Sequence, residues 1–287
     1  MLRQRILTAV VLLALFLPSL FAASPWPFWG FTGVMMLAAG WEWGRLNGML
    51  GLRPWTLGLL TVSLAAVIFQ WGAWLPSIDQ RTGLWSGMTL AWVVLGPAAL
   101  RGGPAAWARL TPAVRLALGV WLLALAWLAM LGARERGLNF LLSVFCLVWV
   151  ADSAAYLGGR LLGRHKLAVT ISPGKTWEGA ISGALAVTAL AIAWATWIDG
   201  TAWVDGTSVF GTLQTHLGRL NMVLACWALT AMAVVGDLFE SLLKRSVGAK
   251  DSSALLPGHG GVLDRIDALL PVFPTALALC TLAEFWK

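Results

Sequence analysis

Apolar runs of about twenty residues recur along almost the whole chain, and no other feature limits its fold so strongly. Each is long enough to cross a hydrocarbon core of roughly 30 Å as a helix. Of the 287 residues, 59% are hydrophobic and only 11% are charged, against roughly 25% charged in a soluble domain. So much apolar surface cannot be hidden from water, and lipid must be its solvent. In lipid the backbone satisfies its own hydrogen bonds, which leaves helices or closed barrels. The runs are continuous rather than alternating, which selects helices. The expected fold is therefore an all-α polytopic membrane protein of about nine transmembrane helices, at about 6–23, 27–44, 55–75, 84–100, 115–133, 138–158, 177–198, 219–240 and 266–286. Phe21-Ala22-Ala23-Ser24 resembles a signal-peptide exit, but the run before it is long for a signal core, so the first span is expected to be retained. Cys146, Cys226 and Cys280 each fall inside an apolar run and read as packing residues, not disulfides or metal ligands.

Charge orients the spans. With the N-terminus in the cytoplasm, 15 of the 20 basic residues face that side: Arg3 and Arg5, Arg45 and Arg53, Arg101, Arg109 and Arg115, Arg160, Arg164, Lys166 and Lys175, and Lys244, Arg245, Lys250 and Arg265. Arg81, Arg134, Arg136, Arg219 and Lys287 face the other. That bias obeys the positive-inside rule. The net charge of +7 suits anionic head groups. Spread over short loops, it argues against a nucleic-acid partner.

Two segments break the apolar pattern. Residues 236–267 read GDLFESLLKRSVGAKDSSALLPGHGGVLDRID and hold Asp237, Glu240, Asp251, Asp264 and Asp267, five of the thirteen acids, among Lys244, Arg245, Lys250 and Arg265. Asp237 closes the eighth span. Asp264 and Asp267 share a face at the start of the ninth, where acids also suit the helix dipole. Carboxylates from two helix ends can converge on one hard cation, and oxygen ligands favour Mg²⁺. Glu240 and Lys244 read as a surface i,i+4 pair. The turn Gly258-His259-Gly260-Gly261 would let backbone N–H groups approach phosphate. His259 reads first as a loop residue, and without a second His or a Cys nearby zinc is not expected. The second segment, residues 151–179, reads ADSAAYLGGRLLGRHKLAVTISPGKTWEG. Asp152 stands at a membrane boundary, where an acid points to function. Lys166, Ser172 and Lys175 follow in a cationic loop, and Thr176 is placed to cap the next helix.

In order and spacing, Ser241, Lys244-Arg245, Lys250-Asp251, Ser253, Leu256-Pro257, His259-Gly260-Gly261 and Asp264-Arg265-Ile266-Asp267 resemble the signature of the phosphatidate cytidylyltransferases, also called CDP-diacylglycerol synthases. The segments ADSAAYLGGRLLGRHKL and ISPGKTWEG look like the family's second motif region. Gly174 departs from it, standing where the family usually has a lysine. The resemblance covers the chain from about residue 150; earlier residues resemble the family only as apolar spans. It implies N-terminal transmembrane helices over 1–140 and a C-terminal transmembrane catalytic region over 141–287, with no separate soluble domain. It also implies transfer of a cytidylyl group from CTP or dCTP to phosphatidic acid at the cytoplasmic face of a bacterial inner membrane, with Mg²⁺, a second monovalent ion (K⁺) and a homodimer. Asp237, Asp264, Lys244 and Arg245 would be catalytic, with Asp237, Asp264 and Asp267 on the metal. Lys250, Arg265, His259, Gly260, Gly261, Lys166, Ser172, Lys175 and Asp152 would contact substrate. Two other classes fit membrane spans with boundary acids: a CTP-dependent kinase of a polyprenol-type lipid, and a transporter. The second would want charges or helix breaks near mid-membrane, whereas these acids gather at one face.

Cysteine-accessibility labelling tests the topology. A cysteine replacing Leu167 should react only from the cytoplasm, and one replacing Asp205 only from outside; the reverse, or one side for both, overturns it.

Overall fold

The computed structural model describes residues 2–72, 78–201 and 204–285. The expected span ends at 73–75 and 286, Lys287 and the side chain of Arg81 lie outside the described residues. The chain folds as α1 (Leu2–Phe21), α2 (Trp26–Leu46), α3 (Arg53–Gly72), α4 (Ile78–Arg109), α5 (Pro112–Glu135), α6 (Leu138–Leu162), β1 (Lys166–Ala168), β2 (Ser172–Thr176), α7 (Trp177–Trp197), α8 (Val209–Ser246), α9 (Leu263–Ile266) and α10 (Leu269–Phe285). Each expected span coincides with one long helix, and seven stretches among the described residues are long and apolar enough to cross a membrane. On α1 the residues Ile6, Leu7, Val10, Val11, Leu13 and Leu17 are all exposed, as a face solvated by lipid requires.

Glycines set where the helices run long or break. Gly103 and Gly218 adopt φ of 67° and 79°, and each divides a longer helix into two pieces. The basic residues around 101–109, expected as a connector, thus continue α4 beyond Gly103, and residues 209–217 form a helical piece ahead of the expected eighth span. The ninth span also starts in two parts. Pro271 would drive its ring into the carbonyl of Asp267 in a continuous helix, and the chain breaks between α9 and α10. Asp264 lies in α9 and Asp267 caps it, still helical at φ −50° and ψ −50° with its N–H on the Leu263 carbonyl at 3.1 Å, so the two stand one turn apart on the same side, as expected. Gly236 lets α8 lie against this break, since a Cβ there would meet the Asp267 carbonyl and the Pro271 ring.

The cationic loop before α7 contains a small antiparallel hairpin pairing Lys166 with Thr176 and Ala168 with Ser172. Ile171 at its tip is buried and joins the apolar cluster that includes Trp43, Trp107 and Phe239. Thr176 caps α7 as expected, accepting from the Gly179 N–H at 3.2 Å.

The chain ends sort cleanly. The start of α1, the end of α2, the hairpin and the loop between α8 and α9 meet at one end. Thr8 donates to the Pro257 carbonyl at 2.9 Å, and Arg245 Nε donates to the Ile171 carbonyl at 3.3 Å. At the other end Arg136 grips Glu284 with two bonds of 2.9 and 2.6 Å. There, Asp199 accepts from Asn139 Nδ2 at 2.7 Å and Ser208 Oγ at 2.6 Å.

At the first end an aromatic cluster locks the helices. Trp43 is fully buried, donates its indole N–H to the Arg115 carbonyl at 2.9 Å and stacks with Phe239 of α8. Trp92 and Trp107 of α4 meet Phe239 edge-on. The indole of Trp43 fills the space beside Gly119 of α5, where a Cβ would overlap it. Gly119→Val should therefore cost about 1–3 kcal/mol by overpacking, read as a lower thermal unfolding midpoint in detergent. An unchanged midpoint would show that α2 and α5 do not approach this closely.

Candidate functional site

Most of the acids singled out in the sequence converge on one cavity of about 610 Å³. α6 contributes Asp152, the hairpin Ser172 and Lys175, α8 Asp237 and Lys244, and the α9 region Asp264, Arg265 and Asp267; Gly174 and Asp251 also line it. The small residues Gly159, Gly179 and Gly183 on facing walls of α6 and α7 leave it room. The close approach of these two helices depends on them: a Cβ on Gly183 would press on the Ala151 carbonyl, and one on Gly179 on the Ala155 carbonyl.

The carboxylates are not alone. Neither Asp237 nor Asp264 has a cationic neighbour four residues away on its own helix, which from sequence suggests an unpaired acid. The fold instead supplies partners from elsewhere. Lys175 reaches from β2 to Asp237, Nζ to Oδ2 at 2.5 Å. Lys244 lies between two carboxylates, 2.5 Å from Glu240 Oε2 and 2.6 Å from Asp264 Oδ1. Glu240 and Lys244 are thus not a surface pair: their side chains are 2% and 12% exposed. Asp264 Oδ2 accepts three further bonds, from the Ser252 N–H at 2.9 Å, the Ser252 hydroxyl at 2.9 Å and the Gly261 N–H at 2.8 Å. Asp267 Oδ1 accepts the N–H of Ala268 at 2.8 Å, so this acid also satisfies the chain break ahead of α10.

The glycine-rich turn is folded on itself. Leu256 and Gly260 form a bridge, the His259 N–H donates to the Leu256 carbonyl at 2.8 Å, and Gly258 and Gly260 have φ of 78° and 82°. Only glycine adopts such angles without a Cβ penalty. The amide of His259 is thereby spent inside the loop, and that of Gly261 is spent on Asp264. One acid that sequence reasoning passed over holds this loop from outside: Glu42 of α2, fully buried, accepts from Ser252 Oγ, Ser253 Oγ and the N–H groups of Val262 and Leu263.

Residues 3–283 match the model of the cytidylyltransferase family. The chain belongs to that family. A phosphatidate cytidylyltransferase of Haemophilus influenzae is 35% identical over 96% of both chains, and one of Pseudomonas aeruginosa is 35% identical over 97% of both. One of Staphylococcus epidermidis is 38% identical over 49% of this chain and 48% of its own. Membership thus extends over the first 140 residues as well, beyond the region where the signature alone carries the resemblance.

In this cytidylyltransferase-family chain the expected site residues fall into two sets. Asp152, Ser172, Lys175, Asp237, Lys244, Asp264, Arg265 and Asp267 line the cavity. Lys166, Arg245, Lys250, His259, Gly260 and Gly261 stand around it. Lys166 and Lys250 are exposed, and Arg245 spends its guanidinium on the carbonyls of Ile171 and Ala249 at 3.3 and 3.1 Å, which docks the hairpin. Among the described residues no three His, Cys, Asp or Glu side chains stand at metal-holding spacing. The donor chemistry nonetheless suits a hard cation: five carboxylates, Asp152, Asp237, Asp251, Asp264 and Asp267, line the cavity, with Lys175 on Asp237 and Lys244 on Asp264.

Truncating Lys244 would strand Glu240 as a buried charge. Breaking such a pair costs about 3–5 kcal/mol, so Lys244→Ala should unfold at markedly lower temperature in detergent, and adding Glu240→Gln should recover part of the loss. Equal stability of Lys244→Ala and the parent would show that the Glu240–Lys244–Asp264 chain holds nothing together.

Proposed function

We propose that the chain transfers the cytidylyl group of CTP to phosphatidic acid, giving CDP-diacylglycerol and pyrophosphate for phospholipid synthesis. The observation that carries this reading is the cavity itself. In a family of cytidylyltransferases, lysines, an arginine and several carboxylates meet at one end of a bundle of membrane-length helices. A lipid phosphate can reach that end while its acyl chains stay in the bilayer.

The residues suit the step. A phosphate monoester oxygen of the lipid attacks the α-phosphorus of CTP, and the bond from that phosphorus to the bridging oxygen of the β-phosphate breaks as pyrophosphate leaves. The nucleophile is already anionic at neutral pH, so no strong base is required. The barrier lies in gathering anions and stabilising charge on the transferred and leaving groups. Lys175 and Lys244 offer ammonium groups at the cavity wall, and Arg265 offers a guanidinium able to bind phosphate in a bidentate manner. Asp237 and Asp264 hold those two lysines, with Asp267 beside them. In this reading Asp237, Asp264 and Asp267 take Mg²⁺, which when bound adds positive charge on the phosphates. A K⁺ ion, acceptance of dCTP beside CTP, and a homodimer belong to the same proposal. So does its setting: the bacterial inner membrane, N-terminus and cavity facing the cytoplasm, which the distribution of basic residues supports.

Labelled CTP tests the reaction. Label at the α-phosphate should enter the lipid, and label at the γ-phosphate should leave in pyrophosphate. γ-Label in the lipid would mean a kinase, and label in neither lipid nor pyrophosphate would end the enzymatic reading. Under the same assay Asp237→Asn and Asp264→Asn should abolish transfer while the protein still inserts and purifies. Parental activity and parental Mg²⁺ dependence in both would remove the metal from this site.

A further inference from the structure

We infer that Glu42 is a positioning residue for cytidylyl transfer: from α2 it holds the loop that carries Asp264 in register with the rest of the cavity. The inference rests on the proposed function for its kinetic consequence and on the geometry alone for its structural one.

Glu42 is 0% exposed. Burying a carboxylate is costly unless hydrogen bonds replace its water. Here the replacement comes from one place. Oε1 accepts from Ser253 Oγ at 2.6 Å and the Val262 N–H at 2.9 Å; Oε2 accepts from Ser252 Oγ at 3.0 Å and the Leu263 N–H at 2.7 Å. All four donors lie in residues 252–263, more than 200 positions along the chain. They bracket the glycine-rich turn, so one side chain closes the loop at both ends.

The link to Asp264 is direct. The Ser252 hydroxyl that reaches Glu42 also lies 2.9 Å from Asp264 Oδ2, and the Ser252 N–H donates to that same oxygen. Gly261 completes the arrangement. Its N–H donates to Asp264, and a Cβ on it would overlap both the Ser252 hydroxyl and the Glu42 carboxylate. Glycine at 261 is thus required by the approach of Glu42 to the loop. Trp43, next in sequence, is pinned against α5 and α8, so the anchor rests on a fixed helix.

The chemistry at position 42 is specific. Glutamine keeps the size but turns one acceptor into an NH₂ group facing an N–H and a hydroxyl, and aspartate keeps both acceptors but is one methylene short. A displacement of about 1 Å at a reacting group can cost on the order of a hundredfold in rate. Glu42→Gln in the full-length protein should therefore lower kcat by about tenfold or more and leave KM for phosphatidic acid within about twofold, because Glu42 touches none of the cavity wall formed by α6 and the hairpin. Hydrogen exchange should rise in residues 252–263 and stay unchanged at the opposite end, in residues 138–145. Glu42→Asp should fall between parent and Glu42→Gln on both readouts.

A kcat per folded molecule within about twofold of the parent would overturn the inference, as would a loss of kcat without faster exchange in 252–263. If Glu42→Gln does not accumulate, Ser252→Ala/Ser253→Ala removes both hydroxyl donors and leaves the two amides. It should show the same kcat loss and loop exchange, and parental values for either overturn the inference. A parent that makes no CDP-diacylglycerol would count against the proposed function, while the exchange measurement would still decide whether Glu42 holds the loop.

Discussion

One ammonium group ties the cavity end of this bundle together. Lys244 sits between Glu240, on its own helix, and Asp264, on α9, and its charge is shared by two largely buried carboxylates. Helix–helix association in lipid lacks the hydrophobic drive that water supplies, so polar contacts of this kind carry more of the burden of specifying which elements meet. Here they join the end of α8 to the start of α9. Lys175 does the same for the hairpin and α8 through Asp237.

The N-terminal helices take part in this order. Trp43 and Phe239 stack across α2 and α8, and Trp92 and Trp107 of α4 close on the same ring. That cluster sets the end of α2 beside the signature loop, and Glu42 makes contact where the cluster stops. The family match from residue 3 onward fits a molecule in which early helices hold the loop that later ones carry.

Much of this was legible in the sequence. Continuous apolar runs marked the nine long helices among the described residues, because a lipid solvent leaves little freedom in length or composition. The cluster of acids from Asp237 to Asp267 pointed to the cavity. What escaped notice depended on pairing at a distance. The partners of Asp237 and Asp264 come from 62 and 20 residues away, and no i,i+4 rule reaches that far. The two-part start of the last helix was readable from Pro271, whose ring excludes a helical carbonyl at Asp267. The hairpin at 166–176 is only three and five residues per strand and too short for a periodic signal. Glu42 offered a signal that was not used: it is the only acid among the first 78 residues, set between Trp41 and Trp43 at a span end. An acid in that setting points to function for the same reason Asp152 does.

The four bonds around Asp264 have a consequence for how the site meets its substrates. Oδ2 receives two amide N–H groups and shares the one Ser252 hydroxyl proton with Glu42, and Oδ1 receives an ammonium, so the carboxylate has little freedom to turn. Water around an ion must reorient whenever charge moves, and that reorganisation is a large part of the barrier to a polar reaction in solution. A dipole array already fixed by folding needs no such response. The glycines that make the loop look pliable in sequence therefore serve an electrostatically stiff site, and in the proposed reaction the field acting on an incoming triphosphate is set before it arrives.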